Sequence, residues 1–149
     1  MWQTPILALL ALWALLGGRE AVCAETLDAR ERKGRQLYVK HCIACHGVVL
    51  EGIEVTEPDG RRIQAVPALN DTGRVWRHPD KVLFGLARFG EHVLVTRSSA
   101  WKMPGFRYQL SEDETWMLIA YIKSTWSEEF RARQSEATVR AQRLEEKLN

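Results

Sequence analysis

Cys42-Ile43-Ala44-Cys45-His46 constrains this chain more than any other stretch of it. Two thiols three positions apart, with an imidazole directly after the second, have the spacing of a c-type haem attachment site. In that chemistry each thiol adds across one haem vinyl group, giving two thioether links. The fixed spacing then delivers His46 to one axial face of the iron. A chain anchored in this way has to fold around a large flat cofactor. A haem that cannot dissociate, held by so small a protein, points to electron transfer.

The 149 residues amount to one modest domain plus extras. With 46% hydrophobic and 27% charged residues the composition is that of an ordinary soluble protein. A net charge of only +2 gives no case for nucleic-acid binding, which usually shows a strongly basic face. Six tryptophans are many for this length and suit either a plain core or the lining of something large and flat.

Residues 1–24 stand apart. Ile6 to Leu16 is apolar throughout, and Gly17-Gly18 and Arg19-Glu20 follow. Eleven apolar residues fall short of the roughly 20 that span a bilayer, but they suit the core of a secretory signal. Val22-Cys23-Ala24 supplies small residues for a cut after Ala24. No Lys or Arg precedes the apolar run, so retention as an uncleaved anchor stays open beside cleavage. Cys23 does not read as a lipid-anchor site, because Glu20 stands where Leu is wanted; it leaves with the signal. The mature chain is expected to be soluble, exported and periplasmic.

A first helix is expected from Asp28 to His41, with Asp28 and Glu31 as a capping pair. Gly34 interrupts it on the same face as Tyr38, which suits a close crossing by another helix. Ile53 and Val55, then Ile63 and Ala65, alternate on either side of Pro58-Asp59-Gly60 and predict a small hairpin. A short helix is expected over Asp80 to Phe89, with Val82, Leu83, Leu86 and Phe89 inward and Gly90 ending it. Ser111 to Glu114 is a capping box ahead of Trp116 to Ile122, and that helix is expected to reach at least Trp126. Ser127 to Asn149 is rich in Arg, Glu and Gln and reads as a solvated helical extension or a frayed tail. No internal repeat or low-complexity tract is present.

His46 is expected to bind iron through one ring nitrogen, while a backbone carbonyl or carboxylate takes the hydrogen of the other. Met103 is the expected sixth ligand. Pro104 restricts it to an extended conformation, and the soft thioether favours ferrous iron and raises the potential. Met117 lies on the apolar face of its helix and reads as packing. His41 adjoins Cys42, His78 precedes Pro79 as a helix-start residue, and His92 is the rival for a second His ligand. A thioredoxin-like pair would sit at a helix start after a strand, and a structural zinc site would need a further ligand and usually a second cysteine pair.

With Gly34, Tyr38, the Cys42 to His46 motif, Gly47, Pro67, Met103-Pro104 and Leu118 to Tyr121 in hand, residues 28–126 resemble a monohaem c-type cytochrome. The resemblance is to the bacterial single-domain type with His/Met ligation. It implies an all-α cytochrome c fold whose N- and C-terminal helices cross over one covalently bound haem c, with the hairpin as an insertion. It implies that Gly34 and Tyr38 meet Leu118 and Tyr121 at that crossing. It also implies that the Pro67 carbonyl accepts from the free nitrogen of His46, and that Leu69 packs on the ring. Trp76 and Trp101 are further positions for covering the propionates. The implied domain is 25–126, with 127–149 as the extension. The cofactor-binding set is Cys42, Cys45, His46, Pro67 and Met103, with His46 and Met103 on the metal.

The expected function is one-electron transfer between redox protein partners by a non-catalytic monomer that meets them transiently. Arg88, Arg97, Lys102 and Arg107 are placed to steer an acidic partner or to stand as solvated charges. Two rivals stay open. One is a dedicated subunit of a dehydrogenase or terminal oxidase; the other is a haem-based ligand sensor or peroxidase with a displaceable sixth ligand.

Overall fold

The computed structural model describes residues 27–90 and 102–148. The expected signal with Cys23, together with His92, Arg97 and Trp101, lies outside them. In chain order the elements are α1 (Ala29–His41), α2 (Ile43–His46), β1 (Ile53–Thr56), β2 (Arg62–Val66), a 3₁₀ turn (Val75–Arg77), α3 (Asp80–Phe89), α4 (Glu112–Ser124) and α5 (Glu128–Glu146). The architecture is helical with a small antiparallel hairpin, as the sequence led us to expect.

Both helices of the central crossing start on reciprocal caps. Glu31 N–H donates to Asp28 Oδ1 at 2.7 Å, and Asp28 N–H donates to Glu31 Oε2 at 2.8 Å. Glu114 N–H and Ser111 Oγ, with Ser111 N–H and Glu114 Oε2, repeat the pattern at 3.1 Å each. Helix ends leave four N–H groups without intrahelical partners, and each box satisfies one of them together with its own cap N–H.

At the crossing, α1 and α4 approach to backbone contact at Gly34. A Cβ there would lie 2.0 Å from the Met117 carbonyl oxygen and 2.8 Å from Tyr121 Cβ, so the site admits only hydrogen. One turn on, the Tyr38 and Tyr121 rings meet with centroids 5.5 Å apart. Leu37, Tyr38, Leu118 and Tyr121 form a buried core with Leu50, Leu69, Leu110 and Cys42. Each such aliphatic side chain stabilises the fold by roughly 1.5–3 kcal/mol relative to exposure. Tyr38 keeps its polar end satisfied, donating its hydroxyl to the Gly47 carbonyl at 2.6 Å.

The hairpin pairs Glu54 with Gln64, Val55 with Ile63 and Thr56 with Arg62, with a shift of register next to Ile53. The sequence marks it only as an insertion, and its position is more specific than that. β2 runs directly into Pro67, while Leu69 N–H donates to the Leu50 carbonyl at 2.8 Å and Asn70 Nδ2 donates to the Val49 carbonyl at 2.7 Å. The loop after α2 and the segment after β2 are thereby stitched side by side.

Four expectations are corrected. Phe89 is 45% exposed rather than inward, because the inward face of α3 runs through Leu83 and Ala87. The helix α4 stops at Ser124, and Trp126 lies beyond its cap with its indole N–H on the Leu69 carbonyl at 2.6 Å. Arg88 is not a free surface cation: its side chain is 15% exposed and donates to the Leu110 carbonyl at 3.0 Å. The C-terminal extension takes the helical one of its two expected forms, as a 19-residue helix, but it docks on the body instead of lying fully solvated. Phe130 stacks on Trp76 at 4.6 Å, and Gln134 and Ala137 are buried beneath it.

Candidate haem site

The short helix α2 consists of the last four residues of the Cys42 to His46 motif, which places Cys42 and Cys45 nearly one turn apart. Cys42 is buried and Cys45 exposed, and both are free thiols. Beside them opens a cavity of about 350 Å³ whose lining includes Cys42, Cys45, His46, Pro67 and Met103. All five site residues expected from the sequence therefore converge on one space. The volume falls within the roughly 300–1,000 Å³ range of small-molecule and cofactor sites.

His46 is buried, and its Nδ1 lies 3.0 Å from the Pro67 carbonyl oxygen. A carbonyl can only accept, so Nδ1 carries the hydrogen and Nε2 is left with a lone pair for a metal. Burial pushes the His46 pKa down, opposed in part by the Pro67 hydrogen bond. The neutral imidazole, the form that ligates metals, is thus favoured.

The thiol environment separates two chemistries. Burial pushes Cys42 up to about 12, and the neighbouring Cys45 adds to the rise. A dithiol redox pair works through a lowered thiol pKa; Cys42 has the opposite. Among the described residues no group of three or more His, Cys, Asp or Glu side chains is placed to hold a metal ion. The donor set fits a haem instead: two thiols, one oriented imidazole and one thioether around an apolar space.

Met103 reaches that space from a strap without regular secondary structure, residues 102–106. Phe106 N–H donates to the Ala87 carbonyl and Arg107 N–H to the Arg88 carbonyl, both at 3.0 Å, so the strap lies along the end of α3. The approach needs Gly105, where a Cβ would fall 2.7 Å from both the Arg88 oxygen and the Phe89 carbonyl carbon.

Leu69 lines the cavity as expected, and so does His41, whose ring packs edge-on against Phe106 at 5.7 Å. Arg74, Val75, His78 and Phe106 are lining residues that the sequence did not single out for this role. His78 had been read as a helix-start residue, and it does stand two residues before Asp80, the start of α3. Trp76 does not line the cavity; it stacks on Phe130 and donates its indole N–H to the Gly73 carbonyl at 2.9 Å.

Comparison with known proteins gives the family. The family model for cytochrome c matches residues 31–126, and this chain belongs to the cytochrome c family. The cbb3-type cytochrome c oxidase subunit CcoP of Rubrivivax gelatinosus is 35% identical over 86 residues, covering 58% of this chain. That match spans only 22% of the relative's length. No solved structure matches the chain. A cytochrome c domain carries covalently bound haem c and serves electron transfer.

Proposed function

We propose that this chain binds one haem c through Cys42 and Cys45, with His46 and Met103 on the iron, and acts as an exported one-electron carrier between redox proteins. The observation that carries the reading is the convergence of both thiols, the oriented His46 and the Met103 thioether on one cavity. Bound there, the haem supplies an iron that takes up and releases a single electron. The chain's own part is to hold and tune. Two ligands from separate segments keep the coordination alike in both oxidation states, so little rearranges on transfer. The apolar lining limits water and, with the Met103 thioether, favours the reduced form.

Export to the periplasm rests on residues 1–24 acting as a signal cut after Ala24. No helix among the described residues is long and apolar enough to cross a membrane. Lys102 and Arg107 remain exposed on the Met103 side and suit brief contact with an acidic partner. The working unit is a monomer without catalytic residues of its own.

The test is a reversible redox titration with spectra on exported, matured protein. Pigment retained through acid–acetone extraction, one-electron behaviour and the weak red charge-transfer absorption of sulfur-ligated ferric haem are expected. Colourless or extractable material overturns the reading. A high-spin spectrum with ready CO binding favours a sensor or peroxidase. The oxidase-subunit relative favours a second reading, a subunit tied to one oxidase complex. Size-exclusion of native extract separates the two: a free carrier, cut after Ala24, elutes below the 17.1 kDa of the whole chain, and a subunit elutes with its complex.

A further inference from the structure

The helix α5 follows the segment that matches the family, yet it packs on and beside residues that form one wall of the haem cavity. That wall includes Leu69, Arg74, Val75 and His78. Trp126, just ahead of α5, holds the Leu69 carbonyl, and Phe130 stacks on Trp76 within the 3₁₀ turn. Gln134 is fully buried, at 0% exposure. Its Nε2 donates to the His78 carbonyl at 3.2 Å and to Asp80 Oδ1 at 2.7 Å. Asp80 is itself fixed, accepting from Lys123 Nζ at 2.9 Å while its N–H donates to Thr138 Oγ1 at 3.0 Å.

The Asp80 carboxylate decides which way the Gln134 amide points, since the flipped amide would set oxygen against oxygen. In this orientation Gln134 Oε1 is buried without a partner among the described residues. Burying an unpaired polar atom is costly. An apolar residue of the same volume would avoid that cost but would take a donor from the His78 carbonyl and from Asp80, so the amide is accounted for by the groups it holds and not by packing. Besides Asp80 and, at 3.1 Å, Thr138 Oγ1, the amide holds the backbone carbonyl of His78, a residue that lines the cavity.

We infer that Gln134 is a positioning residue for the haem site: through the His78 carbonyl it holds the Arg74–His78 wall closed over the cofactor. The inference rests on the haem reading above. With the wall held, water is excluded and the more highly charged oxidised state is disfavoured; with the wall loosened, the potential falls and oxygen reaches the iron more readily. The C-terminal helix thereby acts on electron transfer through a backbone contact some distance from either iron ligand in the sequence.

Three holoproteins test this: Gln134→Leu, which keeps the volume and removes the grip; Phe130→Leu, which loosens the same wall through Trp76; and Leu144→Ser, an exposed control on the same helix. Gln134→Leu and Phe130→Leu are expected to keep the six-coordinate spectrum while their potential drops and the ferrous form reoxidises in air several-fold faster. Leu144→Ser should match the parent in both. Unmoved potential and reoxidation in the first two, even with lowered melting temperatures, overturn the inference and leave α5 a plain structural prop. Should Gln134→Leu fail to accumulate with haem, Phe130→Leu decides alone. A parent protein without covalent pigment removes the functional reading and this inference together, whereas a pigmented parent with unmoved variants removes the inference only.

Discussion

The crossing of α1 with α4 and the docking of α5 bury helix surface by different means. At the crossing the joining groups are apolar: Leu37, Tyr38, Leu118 and Tyr121 interlock, and Gly34 lets the backbones touch. At α5 the buried contact is built from an aromatic stack and a polar cluster, with Gln134, Thr138, Asp80 and Lys123 linked by hydrogen bonds. Apolar interlocking has no tolerance for added volume, while a polar cluster depends on every partner being present. The two joints should therefore fail in different ways.

The largest effect belongs to the crossing. Gly34→Ala must push the Met117 carbonyl aside, and overpacking of this kind costs about 3 kcal/mol, the upper end of its usual range. Denaturant unfolding of the haem-bound protein checks it. A loss below about 1 kcal/mol would mean that the helices part easily and that the contrast between the two joints is overdrawn.

The strap bearing Met103 borrows the logic of the crossing, since Gly105 also admits only backbone contact. Gly105→Ala should lift the strap from the end of α3 and carry Met103 away from the iron. We expect loss of the sulfur charge-transfer absorption, a fall in potential and a gain in CO binding, with the covalent haem retained. An unchanged spectrum would show that the strap adapts where the crossing cannot.

The α5 joint is tested by a double-mutant cycle on Trp76→Ala and Phe130→Ala. Stacked pairs of this kind couple by roughly 0.5–1.5 kcal/mol beyond their buried area. A coupling near zero would leave the joint to its polar contacts and sharpen the contrast with the apolar crossing.

This contrast also explains what could be seen in the sequence. The crossing was legible because glycine and large apolar residues at helical spacing announce a face, and because both capping boxes mark where α1 and α4 begin. Part of the cavity set was legible because the spacing expected of a haem attachment site gathers Cys42, Cys45 and His46 in one short motif. Met103 was reached from the extended strap that Pro104 imposes and the softness of its thioether, whereas Pro67 was reached only through the family resemblance, as no local pattern ties it to His46. The docking of α5 was invisible: Gln134 and Thr138 read as solvent-facing in a charged segment, and only tertiary partners make them buried. Arg88 was misplaced for the same reason, because its acceptor, the Leu110 carbonyl, comes from a segment across the strap. The end of α4 was overextended because Trp126 continues the apolar pattern, although Thr125 already caps the helix.

The smallest expected effect separates the helix starts themselves. The N–H of Ser111 bonded to its carboxylate holds Glu114 below the usual carboxylate range, and Lys33 at 4.0 Å adds to this. A depressed folded pKa means that the cap stabilises the fold above the ordinary Glu pKa, and that the contribution is lost as pH falls through the folded value. Helix α5 has no such box: its cap residue Ser127 makes no side-chain cap bond, and its N–H donates instead to the Asp71 carboxylate at 3.0 Å. Glu114→Gln keeps an acceptor for the Ser111 N–H but carries no titrating charge. Its melting temperature should lie slightly below the parent near neutral pH and converge with it on acidification. Parallel curves across that range would mean that the box at α4 works through geometry alone, as an uncharged acceptor would.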